Sequence, residues 1–255
     1  MINFTDEDEI QSAFEHYRKL GFPYPKLTKY EIIHSFLKLQ LSTAKINKQK
    51  RILSIDNHIK TIEIQPVGDI DLINNFHPHI WKSHAVGMKS PIESFNNDKK
   101  LKRIFMLCLK YTGEINDKNV TVFSRLVSGT QPCANFRPSA AKAVYDYFKC
   151  NSVLDMSMGY GGRLMGFLAS KSSGSYIGID PSPKSCNGNQ KIVEMFNVNN
   201  RVKIIESPFE NVDETLLNKS ELAFTSPPYF LKEIYDENEE SKKLQSRERY
   251  PTYKL

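Results

Sequence analysis

Two short motifs in the second half of the chain carry residue types that could do chemistry. The first spans residues 155–161 (DMSMGYG), between a short apolar run and an apolar-periodic segment, a pattern that predicts strand, tight turn and helix. Its glycines would let the turn backbone approach a ligand closely. The second is the tetrapeptide at residues 226–229 (SPPY), which ends another apolar run. Its two prolines remove backbone donors and stiffen the chain where a strand leaves its sheet.

Taken alone, each motif also has an ordinary structural interpretation, as a packing turn or a surface turn. The elements between the motifs favour a functional site. An apolar strand at residues 176–180 ends in Asp180, a helical segment covers residues 184–196, and a third apolar strand covers residues 202–205. Strands that alternate with helical patterns predict a parallel doubly wound sheet, whose ligands lie at the carboxyl ends of the strands.

The ordered combination resembles the class I S-adenosylmethionine-dependent methyltransferases, specifically those that methylate exocyclic amines of DNA bases. The resemblance covers roughly the second half of the chain. It implies an α/β fold with a Rossmann-like doubly wound methyltransferase sheet, S-adenosylmethionine as the cofactor and DNA as the partner. The tetrapeptide then corresponds to the catalytic motif, with the residues Ser226, Pro227, Pro228 and Tyr229.

The same resemblance assigns a set of cofactor-binding residues. The first cofactor motif is matched by Asp155, Ser157, Gly159 and Gly161. Asp180 matches the acid that accepts both ribose hydroxyls, while Asp155 could anchor the turn or the cofactor's amino group. A segment before the first strand, which in the resembled family helps to hold the methionine end of the cofactor, is matched by Asn135, Phe136, Arg137 and Pro138. Phe209, after the third strand, completes the predicted cofactor site.

The tetrapeptide could methylate an amine by alignment. An exocyclic amine is a poor nucleophile, because its lone pair is delocalised into the ring. The Ser226 hydroxyl and the Pro227 carbonyl could accept its hydrogens and direct the lone pair at the sulfonium methyl, so no strong base is needed. The ring of Tyr229 could stack on a base extruded from the duplex. Serine at the first position occurs in cytosine-N4 and adenine-N6 members, so the target base stays open.

Two other functions stay open at this point. Related families with a Pro-Pro-Tyr tetrapeptide act on RNA or on protein amide nitrogens, and a non-catalytic, partner-dependent nucleic-acid-binding fragment is a third interpretation. The charge distribution favours a polyanionic partner. Residues 1–150 hold 22 lysines and arginines against 15 acids, a net charge of +7, whereas residues 151–255 hold 13 against 14, a net charge of −1.

We therefore expect two domains, a basic and mainly helical region at residues 1–130 and a methyltransferase domain at residues 131–255. A helix is predicted from Thr28, with an apolar stripe formed by Ile32, Ile33, Phe36, Leu37 and Leu41. The most basic stretch, residues 38–60, is the candidate for contact with nucleic-acid phosphates, and a solvated helix end is its alternative. The candidate nucleic-acid-binding residues are Lys45, Lys48, Lys50 and Arg51.

The remaining composition predicts no metal and no membrane segment. His77, His79 and His84 lack cysteine or acid partners at ligand spacing, so structural roles are favoured over zinc. No apolar run approaches the ~20 residues that a bilayer requires. The four cysteines have neither metal nor redox spacing, which favours reduced thiols and a cytoplasmic location.

The predicted sheet is short of strands at its C-terminal end. The resembled fold has seven strands, three of which follow the tetrapeptide, and here 25 residues follow Phe230. We therefore expect an incomplete catalytic domain with an open parallel edge, so either the remainder is encoded or supplied elsewhere, for example by a second polypeptide, or the chain folds poorly and catalyses little alone. The alternative is that strands from residues 57–130 complete the sheet in permuted order.

Overall fold

A computed structural model of the chain describes residues 4–50, 58–64, 69–217, 219–229 and 232–235. The chain divides into two compact units. The first comprises residues 1–26, 78–134 and 228–255, and the second comprises residues 27–77 and 135–227. No helix within the described ranges is long and apolar enough to cross a membrane.

The described helices and strands are numbered in chain order. The α-helices are α1 Phe4–Leu20, α2 Lys29–Leu41, α3 Asp69–Asn74, α4 Pro91–Asn96, α5 Asp98–Thr112, α6 Asp117–Leu126, α7 Pro138–Phe148, α8 Gly162–Ala169 and α9 Pro183–Met195. The β-strands are β1 Ala44–Lys50, β2 His58–Ile64, β3 His84–Ala85, β4 Ser152–Asp155, β5 Ser175–Asp180, β6 Val202–Glu206, β7 Leu222–Ala223 and β8 Glu233–Ile234.

The second unit is built on a four-stranded parallel sheet with the strand order β6-β5-β4-β7. Helix α8 connects β4 to β5, and α9 connects β5 to β6. The chain then returns to place β7 on the other side of β4, so the strand order reverses between these two strands. Parallel strands with helical connections in this order define a Rossmann-like α/β fold, which confirms the predicted fold class.

Apolar sequence on both faces of the sheet explains why these strands form. Strand β5 is buried at every position after its first residue, as is typical of an inner parallel strand. Helix α8 is buried along its whole length and packs against α7. The core also takes in Ile32, Phe36 and Leu39 from α2. Ile33, Leu37 and Leu41, which were predicted on the same stripe, are exposed, because α2 presents only one face to the core.

The first unit has a separate helical core. Helices α1, α4, α5 and α6 contribute its buried apolar side chains, among them Tyr17, Phe95, Leu101, Ile104, Phe105 and Val120. The Tyr17 hydroxyl donates to Asp117 at 2.8 Å, which links α1 to α6. Strand β3 pairs antiparallel with β8 in a two-stranded sheet.

Residues 44–64 contain a β-hairpin in a region that was predicted to be mainly helical. Strand β1 pairs antiparallel with β2, and the register sets Lys48 opposite Lys60 and Lys45 opposite Glu63. The β-branched residues of β2 (HIKTIEI) explain the preference for a strand. Residues 27–77, with this hairpin, belong to the second unit, so the chain is not divided at residue 130 as a simple N-terminal and C-terminal pair.

The expected shortage of strands in the sheet stays a prediction. Within the described residues, β7 pairs with β4 on one side and with no strand on the other. Strands β2 and β3 lie in two other sheets, so the permuted completion from residues 57–130 does not occur among the described residues. Residues 236–255 lie outside the described residues.

Candidate cofactor and catalytic site

The glycine turn leads from the end of β4 to the start of α8. Gly161 is the residue before the helix and has a φ of 77°, in the left-handed region where glycine is strongly favoured. No side chain caps the first turn of α8, so its backbone amides are not covered by a capping group. A β-carbon on Gly162 would lie 1.9 Å from the carbonyl oxygen of Phe136, so only glycine permits this approach of two backbones.

Asp155 is the last residue of β4, just before the turn, and its side chain is fully buried. Arg163 of α8 donates to it from Nε at 2.7 Å and from a terminal nitrogen at 3.2 Å, and the Tyr176 hydroxyl donates at 2.6 Å. Arg163 also donates to the carbonyl of Ser157 within the turn. Both charged side chains are buried. Of the two predicted roles for Asp155, the geometry therefore matches the anchoring of the turn.

Asp180, at the end of β5, faces the same turn. Its Oδ2 accepts the backbone amide of Gly159 at 2.9 Å, and its Oδ1 accepts the amide of Ser182 at 2.9 Å. The side chain is 8% exposed. Burial raises the pKa of Asp180 to about 6, and the two amide hydrogen bonds oppose that shift. Each oxygen can accept a further hydrogen bond, because a carboxylate oxygen has two acceptor sites.

Two further side chains support the turn, Asn189 from α9 and His77 from the loop after α3. The amide of Asn189 donates to the carbonyl of Gly159 at 2.9 Å. The ring of His77 is buried and packs closely on two glycines of the second unit. A β-carbon added at Gly188 would lie 2.3 Å from the ring, and one added at Gly161 would lie 3.3 Å from Nε2 of His77. His77 thus has a packing role, while His79 and His84 belong to the first unit. Within the described residues, no group of three histidines, cysteines or acids is placed to hold a metal.

The segment before α7 lies next to the glycine turn, as its predicted cofactor role requires. The Asn135 amide is 3.4 Å from the carbonyl of Tyr160, and the Phe136 ring lies 5.4 Å from the guanidinium of Arg163. Pro138 is the first residue of α7, and Arg137, with its side chain 52% exposed, precedes it.

A buried acid from α3 holds the start of α7. Asp69 accepts the backbone amide and the hydroxyl of Ser139, at 2.9 and 2.6 Å, and its other oxygen is 3.9 Å from Arg137. Acids at a helix N-terminus are stabilising, because they face the positive end of the helix dipole.

The tetrapeptide begins two residues after Phe224, the residue that follows β7. The amide of Phe224 donates to the carbonyl of Leu154 at 2.9 Å, which holds the strand to β4 just before the motif. Ser226 and Pro227 belong to the second unit, and Pro228 and Tyr229 begin the last segment of the first. The side chain of Tyr229 is 58% exposed.

The remaining predicted residues lie elsewhere. Phe209, 39% exposed, follows the end of β6, the strand next to β5. Lys45, Lys48 and Lys50 lie on β1 in the second unit. Arg51 falls outside the described residues. All four cysteines are buried, and none forms a disulfide.

The sequence reasoning missed the residues that hold the turn in place. Arg163, Tyr176, Asn189 and His77 each contact it or Asp155, but none was singled out for this role. One signal was present for Arg163, since it is the only charged residue in an otherwise apolar helix, GRLMGFLA. A lone charge on a buried face indicates a buried partner. The others depend on contacts between distant segments.

Comparison with known proteins gives little further information. No protein-family model matches the chain, and no curated protein matches it. Among solved structures, the chain is similar to the crystal structure of the SAH-bound methyltransferase PaMTH1 of Podospora anserina, with a TM-score of 0.31 and 21% identity. The alignment covers 51% of this chain and 58% of that chain. The fold assignment rests on the strand order described above.

Proposed function

We propose that this chain is an S-adenosylmethionine-dependent methyltransferase that transfers a methyl group to an exocyclic amine of adenine or cytosine in DNA. The strand order is the observation that carries the proposal. The strand order of this parallel sheet reverses between β4 and β7, and ligands of such sheets bind in the crevice at this switch point. The glycine turn follows one of these two strands, and Ser226 follows the other.

The residues at the glycine turn fit the cofactor. Asp180 can accept ribose hydroxyls with the acceptor sites that Gly159 and Ser182 leave open. The start of α8 has no side-chain cap, so its first backbone amides can donate to polar groups of a ligand. Asn135 and Phe136 flank the turn, and Arg137 offers a cation to the carboxylate of the methionine end. The bound cofactor would supply a methyl group attached to a positively charged sulfur.

The tetrapeptide would orient the amine. The Ser226 hydroxyl and the Pro227 carbonyl accept its hydrogens, and the missing N–H of Pro227 leaves no donor at that position to compete. Positioning of this kind is the main requirement of the reaction, because the methyl group is already activated. The exposed ring of Tyr229 offers a face on which an extruded base can stack, worth ~1–3 kcal/mol.

DNA contact is assigned to the hairpin of β1 and β2. Its register pairs Lys48 with Lys60, which brings two cationic residues together on the hairpin. Together with the net charge of +7 in residues 1–150, the pair supports an anionic partner for the hairpin.

Calorimetry with S-adenosylmethionine tests the cofactor site. We expect the wild-type chain to bind it and Asp180→Ala to bind at least about tenfold more weakly, since the ribose hydroxyls lose their acceptor. Asp213→Ala is the matched control, because Asp213 is an exposed acid that caps a short 3₁₀ helix. Equal affinities for the two variants would show that Asp180 does not bind the cofactor. If the wild-type chain does not bind S-adenosylmethionine, the proposed cofactor is wrong.

A salt titration of duplex binding, followed by fluorescence anisotropy, tests the DNA contact. The logarithm of the affinity should fall linearly with the logarithm of the salt concentration, and Lys48→Ala with Lys60→Ala should reduce the slope by about 1 per lost phosphate contact. Lys191→Ala, at an exposed lysine of α9 outside the hairpin, should leave the slope unchanged. A slope that is insensitive to the hairpin variants would reject the hairpin as the contact surface.

A further inference from the structure

Phe224 stands two residues before the predicted catalytic motif and is hydrogen-bonded to β4, the strand that leads into the predicted cofactor turn. It is the residue that follows β7, and its backbone amide is bonded to Leu154, one residue before Asp155. Ser226 is two residues further on. In an extended chain, residues 224 and 226 share one face, and Pro227 disfavours helical backbone at Ser226.

The ring of Phe224 is held edge to face by two other aromatic rings. The Phe136 ring lies 5.5 Å away at an interplanar angle of 89°, and the Tyr145 ring lies 5.5 Å away at 75°. Edge-to-face contacts of this kind contribute about 0.5–1.5 kcal/mol each beyond the apolar area that they bury. Two such contacts restrict the side chain in two directions.

Both neighbouring rings are themselves fixed to the elements that form the glycine turn. Phe136 lies under the guanidinium of Arg163, and its carbonyl passes over Gly162 at a distance that no side chain would permit. Tyr145 packs edge to face on Phe167 of α8, with the ring centroids 5.6 Å apart. Phe136 and Tyr145 therefore each connect the ring of Phe224 to a residue of α8.

We propose that Phe224 is a positioning residue that fixes the distance between Ser226 and the cofactor turn. It sets where the amine is presented without contacting the reacting atoms. Removal of the ring leaves Asp180, the glycine turn and the tetrapeptide chemically intact but loosens the tetrapeptide. Because a displacement of ~1 Å can lower a rate by about 100-fold, the loss falls on turnover and not on cofactor affinity.

The proposal rests on the proposed function for its catalytic consequence, but its structural part can be measured without activity. Phe224→Leu is compared with Phe196→Leu and with the conservative variant Phe224→Tyr. Phe196 is a matched control, since it is partly buried against the same core and its ring lies 4.3 Å from Phe36 of α2. Urea denaturation shows whether the two leucine variants lose comparable stability.

Hydrogen exchange of the non-proline amides in residues 222–229 of the cofactor-free chain is the first measurement. We expect Phe224→Leu to speed exchange of this segment, and Phe196→Leu and Phe224→Tyr to leave it close to wild type. Equal exchange in Phe224→Leu and wild type would overturn the positioning role. This comparison decides the structural claim even if the wild-type chain transfers no methyl group, a result that would reject the proposed function separately.

Kinetics with duplex DNA and labelled cofactor is the second measurement. We expect Phe224→Leu to lower kcat by about tenfold or more with the cofactor Kd unchanged, and Phe224→Tyr to restore most of kcat. A fall in cofactor affinity with kcat retained would overturn the proposal, as would an equal loss of kcat in Phe196→Leu.

Discussion

Arg163 and Asp155 form a buried ion pair, with Nε of the guanidinium 2.7 Å from Oδ2 of the carboxylate. Burial disfavours the charged guanidinium, but the neighbouring charge of Asp155 and their hydrogen bonds outweigh it and raise the pKa of Arg163. The pair ties the end of β4 to the first turn of α8, on either side of the glycine turn. It therefore holds the backbone of the turn in a fixed shape.

Arg163→Met should lower the free energy of unfolding by about 3–5 kcal/mol, because it leaves the Asp155 carboxylate buried without its partner. Urea denaturation measures this loss. Asp155→Asn in the same background should restore part of it, since the uncompensated charge is then removed. Arg201→Met is the control, because Arg201 is less buried and donates to a single carbonyl, that of Ser172. A loss in Arg163→Met no larger than in the control would contradict the role of the ion pair.

Tyr176 and Tyr145 provide a matched test of the same network. Both rings are buried, but the Tyr176 hydroxyl donates to Asp155, whereas the Tyr145 hydroxyl has no hydrogen-bond partner within the described part of the chain. Tyr176→Phe should cost about 1.5–3 kcal/mol, as expected for a hydrogen bond to a charged group, and Tyr145→Phe should be close to neutral. Equal losses in urea denaturation would show that the hydroxyl of Tyr145 is also satisfied.

Asp180 should make cofactor binding depend on pH. Burial raises its pKa from 3.8 to about 6, so the folded protein keeps a proton there that the unfolded chain releases. Its contribution to stability therefore decreases as pH rises from about 4 to about 6. Acceptance of the ribose hydroxyls requires the ionised carboxylate, so affinity should change in the opposite sense and fall about tenfold from pH 7 to pH 5. Calorimetry across this range measures it, and a profile in Asp180→Asn with the same slope would exclude Asp180 as its cause.

Gly162 tests the close approach of the segment before α7. Gly162→Ala should destabilise the chain by more than about 4 kcal/mol and remove cofactor binding, because its β-carbon would meet the Phe136 carbonyl at 1.9 Å. Gly113→Ala is the control. It has a φ of 76° and open space around its β-carbon, so it should cost only about 1–2 kcal/mol. Thermal denaturation compares the stability of the two variants. Similar losses of stability would show that the backbones at Gly162 and Phe136 can move apart at little cost.

The sequence predicted the parts of the structure that local patterns determine. The apolar runs at β4, β5 and β6, the glycine turn before α8 and the helix after Pro138 all follow from the period of apolar residues and from turn chemistry. Tertiary contacts decided the rest. The bond between Asp69 and Ser139, 70 residues apart, and the packing of His77 on Gly188 have no local signal. The hairpin of β1 and β2 was not predicted either, although the β-branched residues of β2 favour a strand; its basic stretch was interpreted as a phosphate contact or a solvated helix end.

The central claim is that Ser226 presents a DNA base amine to S-adenosylmethionine. The direct measurement is mass spectrometry of nucleosides released from duplex DNA after incubation with the chain and methyl-labelled cofactor, with structured RNA and protein as parallel substrates. The control variant is Ser175→Ala. Ser175 is an exposed serine at the amino end of β5, whereas Ser226 follows the carboxyl end of β7. We expect labelled N6-methyladenine or N4-methylcytosine from the wild-type chain and from Ser175→Ala, and its loss in Ser226→Ala. Label found only in RNA or protein, or label in DNA that persists in Ser226→Ala, would contradict the claim.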